Sequence, residues 1–280
     1  MNQINSSQIQ AKIKVIENGK SQVRLDSLTV EEPLEIRLNN LHKTLAITMR
    51  TPGADFDLVA GFLYNEGIIK SRSDISKMSY CVDPKIDGKQ RENIVNVQLK
   101  SSEINPNLAS LERHFFTTSA CGVCGKASIE SLQLRGYQKN LNKLQITPNI
   151  IASLPDKLRS AQGIFSRTGG LHAAALFRPD GELVKLREDV GRHNALDKLI
   201  GSALLADELP LDQHIMMVSG RSSFEILQKC LVSGVSIICA VSAPSSLAVS
   251  IAAEFNLTLI GFLRGEKFNI YAGFDRVILP

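Results

Sequence analysis

Tryptophan is absent from this sequence, and aromatic residues occupy only 5% of its 280 positions. Proteins that hold single-stranded nucleic acid stack the bases on aromatic side chains, so this scarcity argues against such a role. Lysine and arginine are scattered, and the net charge is only +4. That distribution argues against duplex nucleic acid and better suits an anionic small molecule or an acidic patch on a protein partner.

Long apolar segments are also missing, although 44% of the residues are hydrophobic. A membrane-spanning helix needs about 18–20 consecutive apolar residues, and no run in the chain reaches that length. Residues 1–14 are polar, rich in Gln, Asn and Ser, and lack the apolar segment of a secretory signal. We interpret them as a frayed tail and expect a cytoplasmic protein.

Cysteine is sparse, with five residues in all. An odd number in a chain without an export signal argues against a structural disulfide framework. Cys239 lies in an apolar run and is expected to behave as a small buried hydrophobe. Only Cys121 and Cys124 form a unit, within the segment Ser119-Ala120-Cys121-Gly122-Val123-Cys124-Gly125-Lys126.

The N-terminal part of the chain predicts a small α+β domain. Residues 34–38 and 45–49 alternate apolar with polar side chains around a short polar loop, which predicts a hairpin. A helix is expected from about Ala54 to Gly67, followed by a polar loop and one strand over residues 94–99. We place this domain at residues 1–145.

Residues 146–280 predict a three-layer α/β domain with a mixed sheet. Pro148 is expected to open a helix, and residues 172–177 and 183–186 flank the turn Pro179-Asp180-Gly181 as a second hairpin. Asp189 is expected to cap the next helix. The remaining strands, at residues 215–218, 235–241 and 257–262, alternate with helices near residues 224–231 and 247–255.

Ligands of such folds lie beyond the carboxyl ends of the strands. Three segments follow strands here: Ser219-Gly220-Arg221-Ser222-Ser223, Ser242-Ala243-Pro244-Ser245-Ser246 and Gly261-Phe262-Leu263-Arg264-Gly265. The serine loops precede helices and could cradle phosphate with backbone N–H groups and hydroxyls, although plain helix capping also explains them. Arg221 and Arg264 add planar guanidinium groups suited to phosphate or to a guanine edge.

Two histidines are further candidates. His193 lies in the polar stretch Glu188–Asn194, where a strand passes into a helix, so it is a candidate cofactor contact or catalytic group. A helix cap with a satisfied histidine explains the same stretch. For His172, a core-facing side chain is the slightly preferred interpretation.

Three chemistries are open to the cysteine pair. Structural zinc needs four ligands, and neither a second Cys pair nor a suitable His pair follows at the required spacing. Dithiol redox exchange fits the Cys-x-x-Cys spacing but not the surrounding pattern. Sulfur transfer through a cysteine persulfide fits best, since Lys126 and a following helix would favour the thiolate and the glycines would let the loop swing.

Motifs along nearly the whole chain resemble, in order, those of the FdhD/NarQ family. The matching stretches are Glu32-Pro33-Leu34-Glu35-Ile36-Arg37, Met49-Arg50-Thr51-Pro52-Gly53, Gly61-Phe62-Leu63-Tyr64-Asn65-Glu66-Gly67-Ile68-Ile69, Cys121-Gly122-Val123-Cys124-Gly125, Thr168-Gly169-Gly170-Leu171-His172-Ala173-Ala174, Glu188-Asp189-Val190-Gly191-Arg192-His193-Asn194-Ala195-Leu196-Asp197-Lys198, and the two serine loops.

The resemblance implies a sulfur carrier that formate dehydrogenase requires. It implies that Cys121 carries the persulfide with Cys124 assisting, and that a cysteine desulfurase donates the sulfur. The acceptor would be the molybdenum bis-guanine-dinucleotide cofactor, a bound substrate that a guanine nucleotide is expected to mimic. The family's cofactor-binding stretch corresponds to Ile260-Gly261-Phe262-Leu263-Arg264-Gly265, and its C-terminal domain is similar to the cytidine deaminase fold without the zinc ligands.

Two other functions stay open: a chaperone that binds the cofactor without handling sulfur, and a dithiol oxidoreductase. We expect a homodimer, with the desulfurase and formate dehydrogenase as partners and without nucleic acid. The sequence leaves open how the cysteine loop reaches the metal and whether a second subunit completes the pocket. It also leaves the separate role of Cys124 open.

Overall fold

A computed structural model describes residues 7–38, 43–100, 125–134 and 136–279, and every structural statement refers to these residues. The strands are β1 (Gln8–Glu17), β2 (Lys20–Thr29), β3 (Glu32–Leu38), β4 (Lys43–Arg50), β5 (Ile75–Tyr80), β6 (Ile94–Leu99), β7 (His172–Phe177), β8 (Leu183–Asp189), β9 (Ile215–Val218), β10 (Ile237–Ala240), β11 (Thr258–Arg264) and β12 (Lys267–Ala272). The helices are α1 (Asp55–Asn65), α2 (Gly88–Arg91), α3 (Gly125–Leu134), α4 (Pro148–Ala161), α5 (Phe165–Thr168), α6 (Arg192–Leu205), α7 (Phe224–Val232) and α8 (Ser246–Glu254). Short 3₁₀ turns occupy Arg72–Asp74 and Phe274–Arg276.

The N-terminal half contains a four-stranded sheet with the order β4-β3-β6-β5. The predicted hairpin is confirmed, because β3 and β4 pair antiparallel, and the predicted strand β6 runs parallel to β3. Leu34, Ile36 and Leu38 alternate along β3 and are at most 1% exposed. They pack with apolar side chains of α1, such as Leu58 and Leu63, into one core cluster.

The C-terminal half is built on a six-stranded mixed sheet with the order β12-β11-β10-β9-β7-β8. Strands β9, β10 and β11 are parallel, whereas β7, β8 and β12 pair antiparallel with their neighbours. One face packs against α6, α7 and α8, and the other against α4. Helices on both faces of a mixed sheet confirm the predicted three-layer α/β class.

Helices α1 and α6 join the two halves at a backbone-to-backbone crossing. A Cβ atom on Gly61 would overlap the carbonyl oxygen of Asp197, and one on Gly201 would overlap the carbonyl oxygen of Asp57. Only glycine allows two helices to approach this closely. The crossing fixes the position of α6, whose first turn belongs to the candidate site.

Three sequence predictions are wrong at the level of single elements. Residues 8–14, predicted as part of a frayed tail, form most of β1, which pairs with β2 as a separate hairpin. The polar loop after α1 contains strand β5, which pairs with β6. The third ligand segment does not follow the last strand, because Gly261–Arg264 are part of β11 and a further strand, β12, returns beside it.

The prediction that Asp189 caps a helix is also wrong. Asp189 is the last residue of β8, and the N-cap of α6 is Gly191. The Asp189 carboxylate instead accepts hydrogen bonds from the backbone N–H of Gly191 at 2.8 Å and of Thr51 at 3.2 Å. Its role is to join β4 and β8, not to cap α6.

None of the described helices is long and apolar enough to cross a membrane.

Candidate active site at one edge of the six-stranded sheet

One edge of the six-stranded sheet gathers most of the polar segments singled out in the sequence. The carboxyl ends of the parallel strands β9, β10 and β11 meet there. Strand β7 runs the opposite way to β9, so its first residue, His172, lies at the same edge. His172 is paired in register with Asp189, the last residue of β8. Ligand contacts are expected at this edge because strand-end loops and helix N-termini converge on it.

The two serine loops touch each other at this edge. The backbone N–H of Ser222 donates to the carbonyl of Ala243 at 3.3 Å, and the N–H of Ser245 donates to the carbonyl of Ser222 at 2.9 Å. Ser222 is fully buried, and its hydroxyl has no hydrogen-bond partner among the described residues. The loops therefore form one continuous surface.

The serines of these loops have different roles. Ser245 is a helix cap, since its hydroxyl accepts the N–H of Ala248 at 3.2 Å. Ser223 occupies the corresponding position before α7 without a side-chain cap bond. Ser219 holds its loop to β7, because its hydroxyl accepts the N–H of Ala173 at 2.9 Å. Arg221 is exposed between them. Capping thus explains one loop but not the other.

His193 contacts a carboxylate that the sequence did not reveal. Its Nε2 atom lies 2.9 Å from a carboxylate oxygen of Glu225 and 3.3 Å from the hydroxyl of Ser223. The hydrogen bond with His193 lowers the pKa of Glu225 to about 2, and burial of the carboxyl opposes that shift. The Glu225 carboxylate is therefore ionised at neutral pH, and it holds the imidazole ring of His193 through the Nε2 atom. Helices α6 and α7 both begin at the sheet edge. The sequence shows only that each helix has a polar residue in its first turn, and it does not show that these two residues meet.

His172, Arg192 and Gly220 form a second group at the edge. A Cβ atom at Gly220 would lie 3.3 Å from Nδ1 of His172 and 3.4 Å from Cδ of Arg192. Burial lowers the pKa of His172, and the neighbouring charge of Arg192 lowers it further. The sequence slightly favoured a core position for His172. The structure instead places it half-buried beside Arg192 at the candidate site.

A buried ion pair holds the first turn of α6 in place. The ammonium group of Lys198 lies 2.7 Å from the Asp189 carboxylate and donates to the carbonyl of Thr51 at 2.7 Å. The amide of Asn194 donates to the carbonyl of Met49, also at 2.7 Å. These bonds tie the end of β4 to the start of α6. The four-stranded sheet therefore supports the residues that face the site, Arg192 and His193.

The segment 260–265, expected to contact the cofactor, presents only some of its side chains. Ile260 and Leu263 are fully buried in the core cluster against α4. Phe262 is 41% exposed, and Arg264 is exposed as well. Gly261 packs closely, since a Cβ there would lie 3.0 Å from Pro244. Gly265 has a φ of +56° in the turn to β12.

The cysteine pair lies outside the described residues, so the structure does not place Cys121 and Cys124 relative to the sheet edge. Helix α3, which follows them, begins at Gly125 and packs its buried Leu132 into the core beside α6, α7 and α8. In the described ranges no group of three His, Cys, Asp or Glu side chains is arranged to hold a metal ion.

Comparison with known proteins agrees with the family resemblance seen in the sequence motifs. A model of the FdhD/NarQ family matches residues 29–278. The sulfur carrier protein FdhD of Streptomyces coelicolor is 52% identical over 270 residues, which cover 96% of this chain and 95% of that protein. The sulfur carrier protein FdhD of Sulfurisphaera tokodaii is 47% identical, with 95% and 98% of the two chains covered.

A crystal structure has the same fold. It belongs to a candidate formate dehydrogenase accessory protein from Desulfotalea psychrophila. The TM-score is 0.74 at 24% sequence identity, and the alignment covers 98% of this chain and 100% of that one.

Proposed function

This chain belongs to the FdhD/NarQ family, and we propose that it is a sulfur carrier that supports the maturation of formate dehydrogenase. Relatives about half identical to it over nearly their full length bear the name sulfur carrier protein FdhD. The observation that carries the proposal within the structure is the convergence of two serine loops, His193 and the β11–β12 hairpin on one sheet edge. That edge has the character of a site for a large anionic cofactor.

Cys121 is the proposed sulfur acceptor. Its thiolate attacks the outer sulfur of a persulfide on a cysteine desulfurase, so that the donor S–S bond breaks as a new S–S bond forms on Cys121. The donor cysteine leaves as a thiolate, and the step is redox-neutral. Cys230 and Cys239 suit this chemistry less well, because burial raises the pKa of both thiols to about 12. Thiols with such pKa values are almost entirely protonated at neutral pH and are poor nucleophiles.

The molybdenum bis-guanine-dinucleotide cofactor is the proposed recipient of the sulfur. Its phosphates are suited to the N-termini of α7 and α8 and to the guanidinium groups of Arg221 and Arg264. His193, held by Glu225 at 2.9 Å, is a further proposed contact at the same edge. The cofactor is the substrate of this reaction, and Cys121 belongs to the segment that precedes α3 in the chain.

Sulfur labelling tests this function. The full-length protein is incubated with a cysteine desulfurase and cysteine, and its intact mass is measured. We expect a gain of one sulfur atom, which is lost in Cys121→Ala and kept in the control Cys81→Ala, whose side chain is buried. Full labelling of Cys121→Ala, together with unimpaired formate dehydrogenase maturation, would show that the assignment is wrong.

The same measurement separates the alternatives. A dithiol oxidoreductase would lose two hydrogen atoms through a Cys121–Cys124 disulfide and gain no sulfur. A cofactor chaperone that does not handle sulfur would keep its activity in Cys121→Ala and lose it in Arg264→Ala.

A further inference from the structure

The β1–β2 hairpin exposes apolar side chains on a ribbon that stands apart from both larger sheets. Its two strands form a sheet of their own through ten residue pairs, and neither outer edge of the ribbon pairs with another described strand. A two-stranded ribbon is at best marginally stable in water without further packing. The ribbon nevertheless carries five large apolar side chains that are each at least 44% exposed: Ile9, Ile16, Val23, Leu25 and Leu28. This combination indicates an interaction surface.

The charges on β2 are arranged so that its outer edge can pair with itself. An exposed strand edge can extend its sheet by pairing with another chain. In a two-fold symmetric antiparallel pair, opposite residues share a face, so their positions differ by an even number. Arg24 and Asp26 meet this condition and have opposite charges. Pairing centred on Leu25 therefore sets Arg24 opposite Asp26 of the partner subunit, and Asp26 opposite the partner subunit's Arg24.

Both charges are available to a second chain. Within the part of the chain that the structure describes, neither Arg24 nor Asp26 forms an ion pair. Their cross-strand neighbours on β1 are the apolar residues Ile13 and Ala11. Opposite charges that face each other across neighbouring strands stabilise a sheet. Two such pairs would form in the symmetric arrangement.

The outer edge of β1 lacks this complementarity. Its charged residues are Lys12, Lys14 and Glu17. Glu17 is an odd number of positions from either lysine, so no symmetric register sets it opposite one of them. Pairing centred on Ile13 would set Lys12 opposite the partner subunit's Lys14, and like charges directly opposite are destabilising. The charge pattern therefore selects β2 as the pairing edge.

The same register brings exposed apolar side chains together on the other face of the ribbon. Leu25, which is 68% exposed, would lie at the two-fold axis against Leu25 of the partner subunit. Val23 and Ile16 share this face of the ribbon and are also exposed. Removing these side chains from water is favourable. The two hairpins together would form a four-stranded sheet, and a sheet of three or more strands with an apolar face can be stable by itself.

We propose that the outer edge of β2 binds a second copy of this chain, with antiparallel pairing centred on Leu25 and two ion pairs between Arg24 and Asp26. The hydrogen bond from Thr29 to Thr168 lies at the base of the hairpin, whereas residues 20–25 are all exposed. No residue of the three core clusters comes from the hairpin, so each copy keeps its fold when the two separate. The inference uses no residue of the candidate active site.

Charge reversal tests the register, with self-association of the full-length protein measured by analytical ultracentrifugation over a dilution series. Wild type is expected to dimerise as its concentration rises. Arg24→Asp and Asp26→Arg each set like charges opposite one another, so either variant alone should raise the dissociation constant at least about tenfold. An equimolar mixture of the two variants should dimerise, because each chain then meets its complement. The double variant Arg24→Asp/Asp26→Arg restores both ion pairs and should dimerise like wild type.

Lys12→Asp is the matched control. It changes the net charge as much as Arg24→Asp does, but on the strand away from the pairing edge, so the dissociation constant should change by less than about threefold. The unfolding midpoint of each variant, measured at a concentration where wild type is monomeric, should equal that of wild type. Equal weakening by Lys12→Asp and Arg24→Asp would overturn the proposal, since the effect would then follow net charge and not register.

The remaining outcomes also decide the question. Wild type that stays monomeric at every concentration, or an equimolar mixture that fails to dimerise, would refute the proposed interface. Unchanged self-association of Arg24→Asp together with loss of its sulfur labelling would refute it too, and would assign the hairpin to the desulfurase. Sulfur labelling of monomeric Arg24→Asp is otherwise expected to match wild type, so this interface and the proposed function fail or stand separately.

Discussion

At the scale of single residues, burial decides what an ion pair contributes. Lys198–Asp189 and Lys185–Glu208 both have a nitrogen–oxygen distance of 2.7 Å. The side chains of the first pair are 2% and 0% exposed, and those of the second are 20% and 51% exposed. Water screens the second pair, but an unpaired charge at Asp189 would have no solvent to compensate it.

We therefore predict different costs for two matched substitutions. Lys198→Met should lower the free energy of unfolding by about 3–5 kcal/mol, because it leaves the Asp189 carboxylate buried without a counter-charge. Lys185→Met should cost less than about 1 kcal/mol. Urea denaturation of both variants measures the difference.

Adding Asp189→Asn to Lys198→Met is the control for this mechanism. The asparagine oxygen can still accept the N–H groups of Gly191 and Thr51, and no buried charge remains, so part of the lost stability should return. Equal costs for Lys198→Met and Lys185→Met would contradict the argument from burial.

Local sequence revealed one residue of the His193–Glu225 contact and missed the other. His193 stands in a dense polar stretch and was singled out from it. Glu225, its partner at 2.9 Å, belongs to a different helix, and no local pattern in the sequence links it to His193.

At the scale of elements, helices α1 and α6 cross in close backbone contact. Their backbones approach so closely that a methyl group on either glycine would overlap the carbonyl oxygen of the other helix. The intrinsic preference of alanine for helices is worth only about 1 kcal/mol. The overlap outweighs it, because neither backbone can move without disturbing the core on its other side.

We predict that Gly201→Ala lowers the free energy of unfolding by about 3 kcal/mol or more, the upper end of the range for overpacked sites. Gly163→Ala is the matched control, since a Cβ there meets no atom within 4 Å. It should change stability by less than about 0.5 kcal/mol. Thermal unfolding of the two variants checks the prediction, and a stable Gly201→Ala protein would show that α1 and α6 can separate.

Elements with a clear hydrophobic periodicity were predicted at the right positions. The β3–β4 and β7–β8 hairpins and the helices α4, α7 and α8 all appear where periodicity placed them. Strand β1 was missed because its alternation of Lys with Ile and Val lies in a segment that reads as polar overall. The bulge in β11 was also missed, since it depends on the register with β12 and not on the composition of β11 itself.

At the scale of the whole molecule, the β1–β2 hairpin is separable from the three core clusters. None of the residues in those clusters comes from the hairpin. Its described side-chain contacts with the rest include Thr29 to Thr168 at 2.9 Å and Gln8 to Arg167 at 3.1 Å. Both are polar contacts near the surface.

We predict that deletion of residues 1–28 shifts the unfolding midpoint by no more than about 4 °C, the effect of about 1 kcal/mol in a protein of this size. Deletion of residues 276–280 is the contrasting control. It removes Val277 from a core cluster and the buried Arg276, which donates to the carbonyls of Asn140 and Asn142. The short C-terminal deletion should destabilise the protein far more than the long N-terminal one, and the reverse order would mean that the hairpin supports the cores.

The sequence by itself determined the fold class, the serine loops and the membership of a family, and it singled out the pair Cys121 and Cys124, because each of these depends on residues close together in the chain. The tertiary structure alone decided which of the candidates meet. It placed His172 beside Arg192 and paired His193 with Glu225. At the bulge in β11, Phe262 and Arg264 line one groove with Lys267 and Asn269. Strand register and helix crossings set these contacts, and both are fixed by packing between segments far apart in sequence.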